Sequence, residues 1–233
     1  MKIQAKAGKC YVCGGILKHS VDQQNVKCVK CGKQEKTNIL CEDGHYLCEK
    51  CAVMNTVEDM SEKMLGYTEK DPMAVAEAMI KDCGIFGNSP HSLVTAAFLV
   101  AYRNMTNKID DEKIKVGFER AIKIPGGWCG FNGTCGAAVG IGTAFAVIQD
   151  STPMSDRERS ISNRVTALAL NKIADLGGPR CCISSVRAAI EAGCEMLGEL
   201  DASFAKSECW DKDCGYPNEN SDCRKEKCPY YKR

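Results

Sequence analysis

From about residue 57 onward, apolar positions recur at the three- and four-residue intervals of helices. The pattern predicts helices over 57–66, 72–83, 90–104, 110–123, 134–149, 156–176 and 180–200. Asp71-Pro72, Ser89-Pro90, Ser155 and Gly178-Pro179 each supply a capping residue or a first-turn proline at a helix start. Ile161, Val165, Leu168 and Leu176 keep helical spacing. Ala137 to Ile148 is apolar on every side, as a central buried helix would be. Its neighbours Gly136, Ala137, Ala138, Gly140 and Gly142 leave room for another helix or a ligand. Strand signals are weak throughout. The expected fold is mainly α, a bundle of six to seven helices.

Before residue 52 this pattern is absent, and Cys, Lys and Gly replace Ala, Met and Glu. That shift suggests three parts: a zinc-binding module at 1–55, a helical domain at 56–206 and a Cys-rich tail at 207–233. The chain has 233 residues, 17 cysteines and a net charge of +1. An odd cysteine count excludes a scaffold of disulfides alone, and the expected use of the thiols is metal ligation or thiolate chemistry. No secretory signal stands at residue 1. The longest apolar run, Gly133 to Ile148, is shorter than the roughly 20 residues a membrane span needs. The expectation is a soluble, cytoplasmic protein that does not enter a membrane.

The first block carries metal-ligand spacing. Cys10-Tyr-Val-Cys13-Gly14 and Cys28-Val-Lys-Cys31-Gly32 are two C-x-x-C-G turns. Each brings two thiolates to one ion, and the glycine admits the positive φ of the turn. Ile16 to Val26 between them can form a short hairpin, as in a zinc ribbon. Cys41, His45, Cys48 and Cys51 follow, with Cys48-Glu-Lys-Cys51 a third knuckle. Asp43-Gly44-His45-Tyr46-Leu47-Cys48 resembles the His–Cys segment of RING-type cross-braced domains. Eight ligands imply two zinc ions, paired either sequentially or in interleaved order. So small a block folds because it binds metal.

Three helix starts carry chemistry of another kind. They are Asn88-Ser89-Pro90-His91, the loop Gly127-Trp128-Cys129-Gly130-Phe131-Asn132-Gly133-Thr134-Cys135-Gly136, and Gly177-Gly178-Pro179-Arg180-Cys181-Cys182. Unpaired backbone N–H groups at such starts favour thiolates and bind anions. Cys129, Cys135, Cys181 and Cys182 are candidates for an iron–sulfur cluster, an open metal site or a redox thiol pair. Adjacent cysteines on a helix splay by about 100°, so Cys181 and Cys182 cannot both face one point. His91 is a candidate acid–base group or ligand, and Arg180 a candidate anion clamp. Cys83 and Cys194 read as packing residues. In the tail, Cys209, Cys214, Cys223 and Cys228 offer four ligands at looser spacing, fit for zinc or iron–sulfur, and with metal bound the tail can lie over the helical site as a lid.

The paired knuckles, DGHYLCEKC, IPGGWCGFNGTCGAAVGIG, GGPRCC and the Cys-rich tail together resemble a domain-of-unknown-function family of anaerobic archaea and bacteria. Its members are sometimes fused to radical-SAM or methyltransferase modules. GTCGAAVGIG is also similar to the C-G-A-x-x-G segment of a helical family described as redox-active. These resemblances imply cysteine redox, iron–sulfur or sulfur-transfer chemistry, and a redox, methyltransferase or radical-SAM protein as partner.

The expected function is therefore a metal- and thiol-dependent enzyme acting on a small anionic or sulfur-containing substrate. A zinc-ribbon scaffold that docks a protein or nucleic acid is the alternative. Lys6, Lys9, Lys18, Lys27, Lys30, Lys33 and Lys36 make the first block mildly basic, but only Tyr11 and Tyr46 interleave with them, which argues against nucleic acid. No G-x-S-x-G, Walker loop or dinucleotide fingerprint is present, so hydrolase and kinase readings lack support.

Overall fold

The computed structural model describes residues 10, 12–85, 89–200, 213–216, 220 and 222–231. They form an antiparallel hairpin, β1 (Leu17–Lys27) and β2 (Gln34–Cys41), followed by eight helices. These are α1 (Glu49–Lys63), α2 (Pro72–Cys83), α3 (Ser89–Thr106), α4 (Asp111–Ala121), the single turn α5 (Trp128–Phe131), α6 (Gly136–Ile148), α7 (Arg157–Leu176) and α8 (Cys182–Leu200). The chain is mainly helical, with one small Cys-rich module at its front. No helix among the described residues is long and apolar enough to cross a membrane.

Capping chemistry sets several boundaries. Asp71 and Asp110 stand just outside α2 and α4, and their carboxylates accept from Met73 N and Lys113 N. Pro72 occupies the first turn of α2, where its missing N–H costs nothing. The first and last starts depart from the sequence expectation for local reasons. The first helix begins at Glu49 rather than 57, because the Cys48–Cys51 knuckle runs straight into it: Cys48 is its N-cap and Cys51 lies in its first turn. The last begins at Cys182 rather than 180. The Gly178–Pro179 bond is cis, and the chain turns helical only after Cys181, whose carbonyl accepts from Ser185 N and Ser184 Oγ.

Helix α6 is the centre of the bundle, packed against α3, α4, α7 and α8. Its small residues act where helices cross. A Cβ at Gly140 would meet the His91 carbonyl oxygen at 2.4 Å, and one at Gly142 would meet Thr166 Oγ1 at 1.9 Å. Thr95 Oγ1 donates to the Gly140 carbonyl at 2.8 Å, which closes the α3–α6 contact. Around them Leu93, Phe98, Leu99, Ile141, Phe145 and Ile190 are fully buried. Cys83 lies in this core and Cys194 packs against it, as small apolar side chains do.

Helix α1 joins the two parts. Cys51, near its start, belongs to the small core of Cys28, Tyr46 and Cys48, whereas Met60, near its end, belongs to the helical core. Lys30 of the second knuckle donates to Asn55 at 2.7 Å and pairs with Glu58, clamping the module to this helix.

Candidate metal centres and thiol cavity

The eight front ligands form two tetrads: Cys10, Cys13, Cys41 and His45, and Cys28, Cys31, Cys48 and Cys51. In each, the ligand atoms all lie within 4.8 Å of one another, so each tetrad can hold a metal ion. The order is interleaved. Pairing of the two C-x-x-C-G turns on one ion does not occur, and the hairpin is the reason. Instead of folding within Ile16 to Val26, the chain extends as β1 over Leu17–Lys27 and turns at the second knuckle. The first knuckle is left at the open end of the hairpin, where Leu17 pairs with Cys41. There it meets Cys41 and His45, while Cys48 and Cys51 return to the closed end.

Close approach of the thiols defines both sites. Cys13 Sγ and Cys41 Sγ are 3.4 Å apart, Cys31 Sγ and Cys48 Sγ 3.6 Å, and His45 Nδ1 lies 3.8 Å from Cys41 Sγ. Backbone amides support the sulfurs from two residues on: Val12 N donates to Cys10, Gly15 N to Cys13 and Asp43 N to Cys41. Such N–H groups orient metal-bound thiolates and offset their charge. At Cys28, burial opposes ionisation, but the amides of Cys48, Cys31 and Lys30 outweigh it and bring the thiol down to about 6. Burial and the neighbouring thiols Cys31, Cys48 and Cys28 push Cys51 up to about 12. Four thiolates this close ionise together only around a cation.

In the helical domain the three unusual helix starts converge. His91, Cys129, Cys135, Arg180, Cys181 and Cys182 all line one cavity of about 650 Å³, with Leu170, Ile173 and Ala174 of α7 as an apolar wall. Positive φ at Gly127 and Gly133 folds the intervening loop around α5. Cys129 is exposed at the mouth, Cys135 and Cys182 are half-buried, and Cys181 is buried. The cavity thiols do not close to single-ion spacing among the described residues, as the front tetrads do. Cys182 also departs from the expected low-pKa thiolate. Its burial outweighs the opposing pull of Arg180, and the thiol is pushed up to about 12.

His91 is buried on α3, with Gly136 pressed against its ring. Nδ1 lies 3.3 Å from the Ile124 carbonyl, which can only accept, so the proton sits on Nδ1 and Nε2 keeps its lone pair. Burial and, secondarily, Arg180 hold the imidazole below its ordinary 6.5. The unfolded chain therefore takes up a proton near pH 6.5 that the folded chain refuses. Stability from this site is fully present above that pH and is lost as pH falls below it. The Tm of a His91→Gln variant should fall less between pH 7 and pH 5 than that of the native chain. Parallel curves in calorimetry would show that His91 is freely protonated in the fold.

Cys181 Sγ accepts from Asn220 Nδ2 of the tail at 3.2 Å, whereas Cys182 senses Cys135, Cys181 and Cys129. The tail holds to the bundle through residues with no motif in the sequence. Arg224 donates to the Leu176 and Gly177 carbonyls, Arg187 of α8 to the Asp213 carbonyl, and Tyr230 stacks under Arg187 at 5.6 Å. Cys209 lies outside the described residues. Cys214, Cys223 and Cys228 are half-buried and do not form a third tetrad among the described residues.

No curated protein and no solved structure matches the chain. A family model does, and it begins after the last front ligand, so it takes in the cavity and the tail without the two tetrads. On that match, over residues 60–231, the chain belongs to the family of unknown function DUF5714.

Proposed function

We propose that the protein is a thiol enzyme whose cavity takes a small anionic, sulfur-bearing molecule, and whose front module is held folded by two zinc ions. The observation that carries this reading is the convergence of three separate helix starts, two of them glycine-rich, on one cavity with four cysteines, a histidine and an arginine. Packing alone has no use for such a gathering of polar and nucleophilic groups in a pocket. The front tetrads, with four ligands each, leave no open coordination position, which suits a structural role.

The chemistry follows from the exposures. Arg180 is exposed at the rim and pairs with the substrate's negative charge. Cys129 at the mouth is the accessible nucleophile. His91 Nε2 accepts the thiol proton within the cavity, and Cys135 is a second thiol able to receive sulfur or close a disulfide. With thiosulfate as probe, the thiolate attacks the outer sulfur. The S–S bond of thiosulfate breaks, a Cys–S–S bond forms, and sulfite departs with the electron pair.

Oxygen-free protein incubated with thiosulfate should release sulfite and gain one sulfur atom on a cavity cysteine, read by mass spectrometry of the intact chain and its peptides. Cys129→Ser should reduce sulfite release at least tenfold while keeping the native Tm. A Cys129–Cys135 disulfide with release of both sulfite and sulfide, the Cys135 thiolate displacing sulfide from the Cys129 persulfide, would select the redox branch. Neither product, with the fold intact, would sink the enzyme reading.

Docking of a partner protein through the front module is the second reading. Val12, Ile16 and Val29 are exposed on it. Lys18, Lys30 and Lys33 pair with Glu42, Glu58 and Glu35, which neutralises much of the basic face and favours a protein over nucleic acid.

A further inference from the structure

We infer that Cys181, Cys214, Cys223 and Cys228 hold an iron–sulfur cluster that fastens the tail to the bundle. This divides the adjacent cysteines: Cys181 serves the cluster and Cys182 the cavity.

The tail reaches Cys181 through Asn220. Asn220, itself buried, donates to Cys181 Sγ at 3.2 Å, and the Asn220 carbonyl accepts from Cys223 N at 3.0 Å. Cys214 N donates to the Tyr230 carbonyl at 2.6 Å, and Tyr231 N to the Cys228 carbonyl at 3.1 Å, so the two ends of the tail lie side by side. Arg187 bonds the carbonyl of Asp213, which sets Cys214 beside the first turns of α8, near Cys181.

Two further observations point to a bound group. Cys223 Sγ accepts from Lys225 N, two residues on, at 3.4 Å. This is the same support that Cys10, Cys13 and Cys41 receive in the first tetrad. Lys225 itself stands at φ 49, a left-handed conformation that costs a side-chain-bearing residue energy. Next to it, Arg224 is 9% exposed, and its Nε and Nη2 have no hydrogen-bond partner among the described residues. A buried guanidinium with two idle donors calls for an anion. A cluster held by four thiolates carries net negative charge and accepts hydrogen bonds on its sulfurs.

A centre of more than one iron is in keeping with the spacing. Zinc ligands close to within 4.8 Å in both front tetrads, and the described tail thiols do not. A multi-iron cluster sets its thiolates farther apart than one ion does, since each binds a different iron.

The test uses full-length protein reconstituted without oxygen with ferrous iron and sulfide, then desalted. The native chain should hold about four iron and four acid-labile sulfide, in addition to zinc. Cys214→Ser and Cys181→Ser should each lose at least tenfold of the iron, with zinc unchanged. Cys182→Ser and Cys135→Ser should keep the iron, so loss of the cavity chemistry and loss of the cluster are read separately. Cys214 lies on the tail, so the Tm of the helical domain in that variant checks that the bundle survives. Zinc without sulfide in the native protein would overturn the inference. So would iron that follows Cys182 rather than Cys181.

Discussion

Removing the metal from the two front tetrads, proposed above to be zinc, should melt the module while leaving the bundle folded. The hairpin has almost no core beyond Tyr46, Val26, Leu40, Leu47 and the ligands themselves. Structural zinc contributes about 10–16 kcal/mol in isolated finger peptides, far more than so few apolar contacts can supply. Two zinc ions per chain are expected in the native protein. In Cys48→Ser the count should fall to one, with hydrogen-exchange protection lost at the closed end of the hairpin, around Lys27 and Gln34, and at the start of α1. The far end of α1 should stay protected, because Met60 is anchored in the helical core. A second pair of variants separates ligation from packing. His45→Cys offers a fourth thiolate and should keep zinc in the first tetrad, whereas His45→Ala should lose it. Retained protection in the metal-free chain would show that the module folds on its own contacts.

The helices were legible because their apolar spacing is regular and starts such as Asp71-Pro72 and Ser89-Pro90 are marked. Sequence periodicity also identified α6 as the centre, since no face of Ala137 to Ile148 is polar. The start of α1 was not legible: Cys48-Glu-Lys-Cys51 reads as a metal knuckle, and nothing local says that the knuckle is also a first helical turn. The choice between tetrad orders was likewise hidden. It depends on β1 running unbroken past its bulge to Lys27, a tertiary fact about strand pairing rather than ligand spacing. The cavity residues were each visible as odd helix starts, but their meeting required the α3–α6 and α7–α8 packing. Asn220 and Arg224 carried no signal at all. Their partners, Cys181, Leu176 and Gly177, lie more than 35 residues away, and polar residues in a loop of Pro, Asn and Asp look solvated.

The cavity rests most heavily on the absence of one side chain. Gly136 opens α6, where alanine would ordinarily stabilise a helix by roughly 0.5–1 kcal/mol. Here the sign should reverse. A Cβ at Gly136 would lie 2.3 Å from His91 Cε1 and Nε2, well inside contact distance. The ring has little room to retreat: its Nδ1 is held by the Ile124 carbonyl, and Gly140 is packed on the His91 backbone. Gly136→Ala should therefore cost about 1–3 kcal/mol of stability, as overpacking in a core does, and displace the imidazole from the cavity. Sulfite release should fall together with stability. Gly130→Ala, in the same glycine-rich region but with open space around its Cβ position, should do neither. Removing the ring should relieve the clash: Gly136→Ala with His91→Ala should be less destabilised than the two single variants summed, a coupling readable by denaturant unfolding. An additive pair, or a Gly136→Ala chain as stable as the native one, would mean that the glycine is not there to admit the histidine.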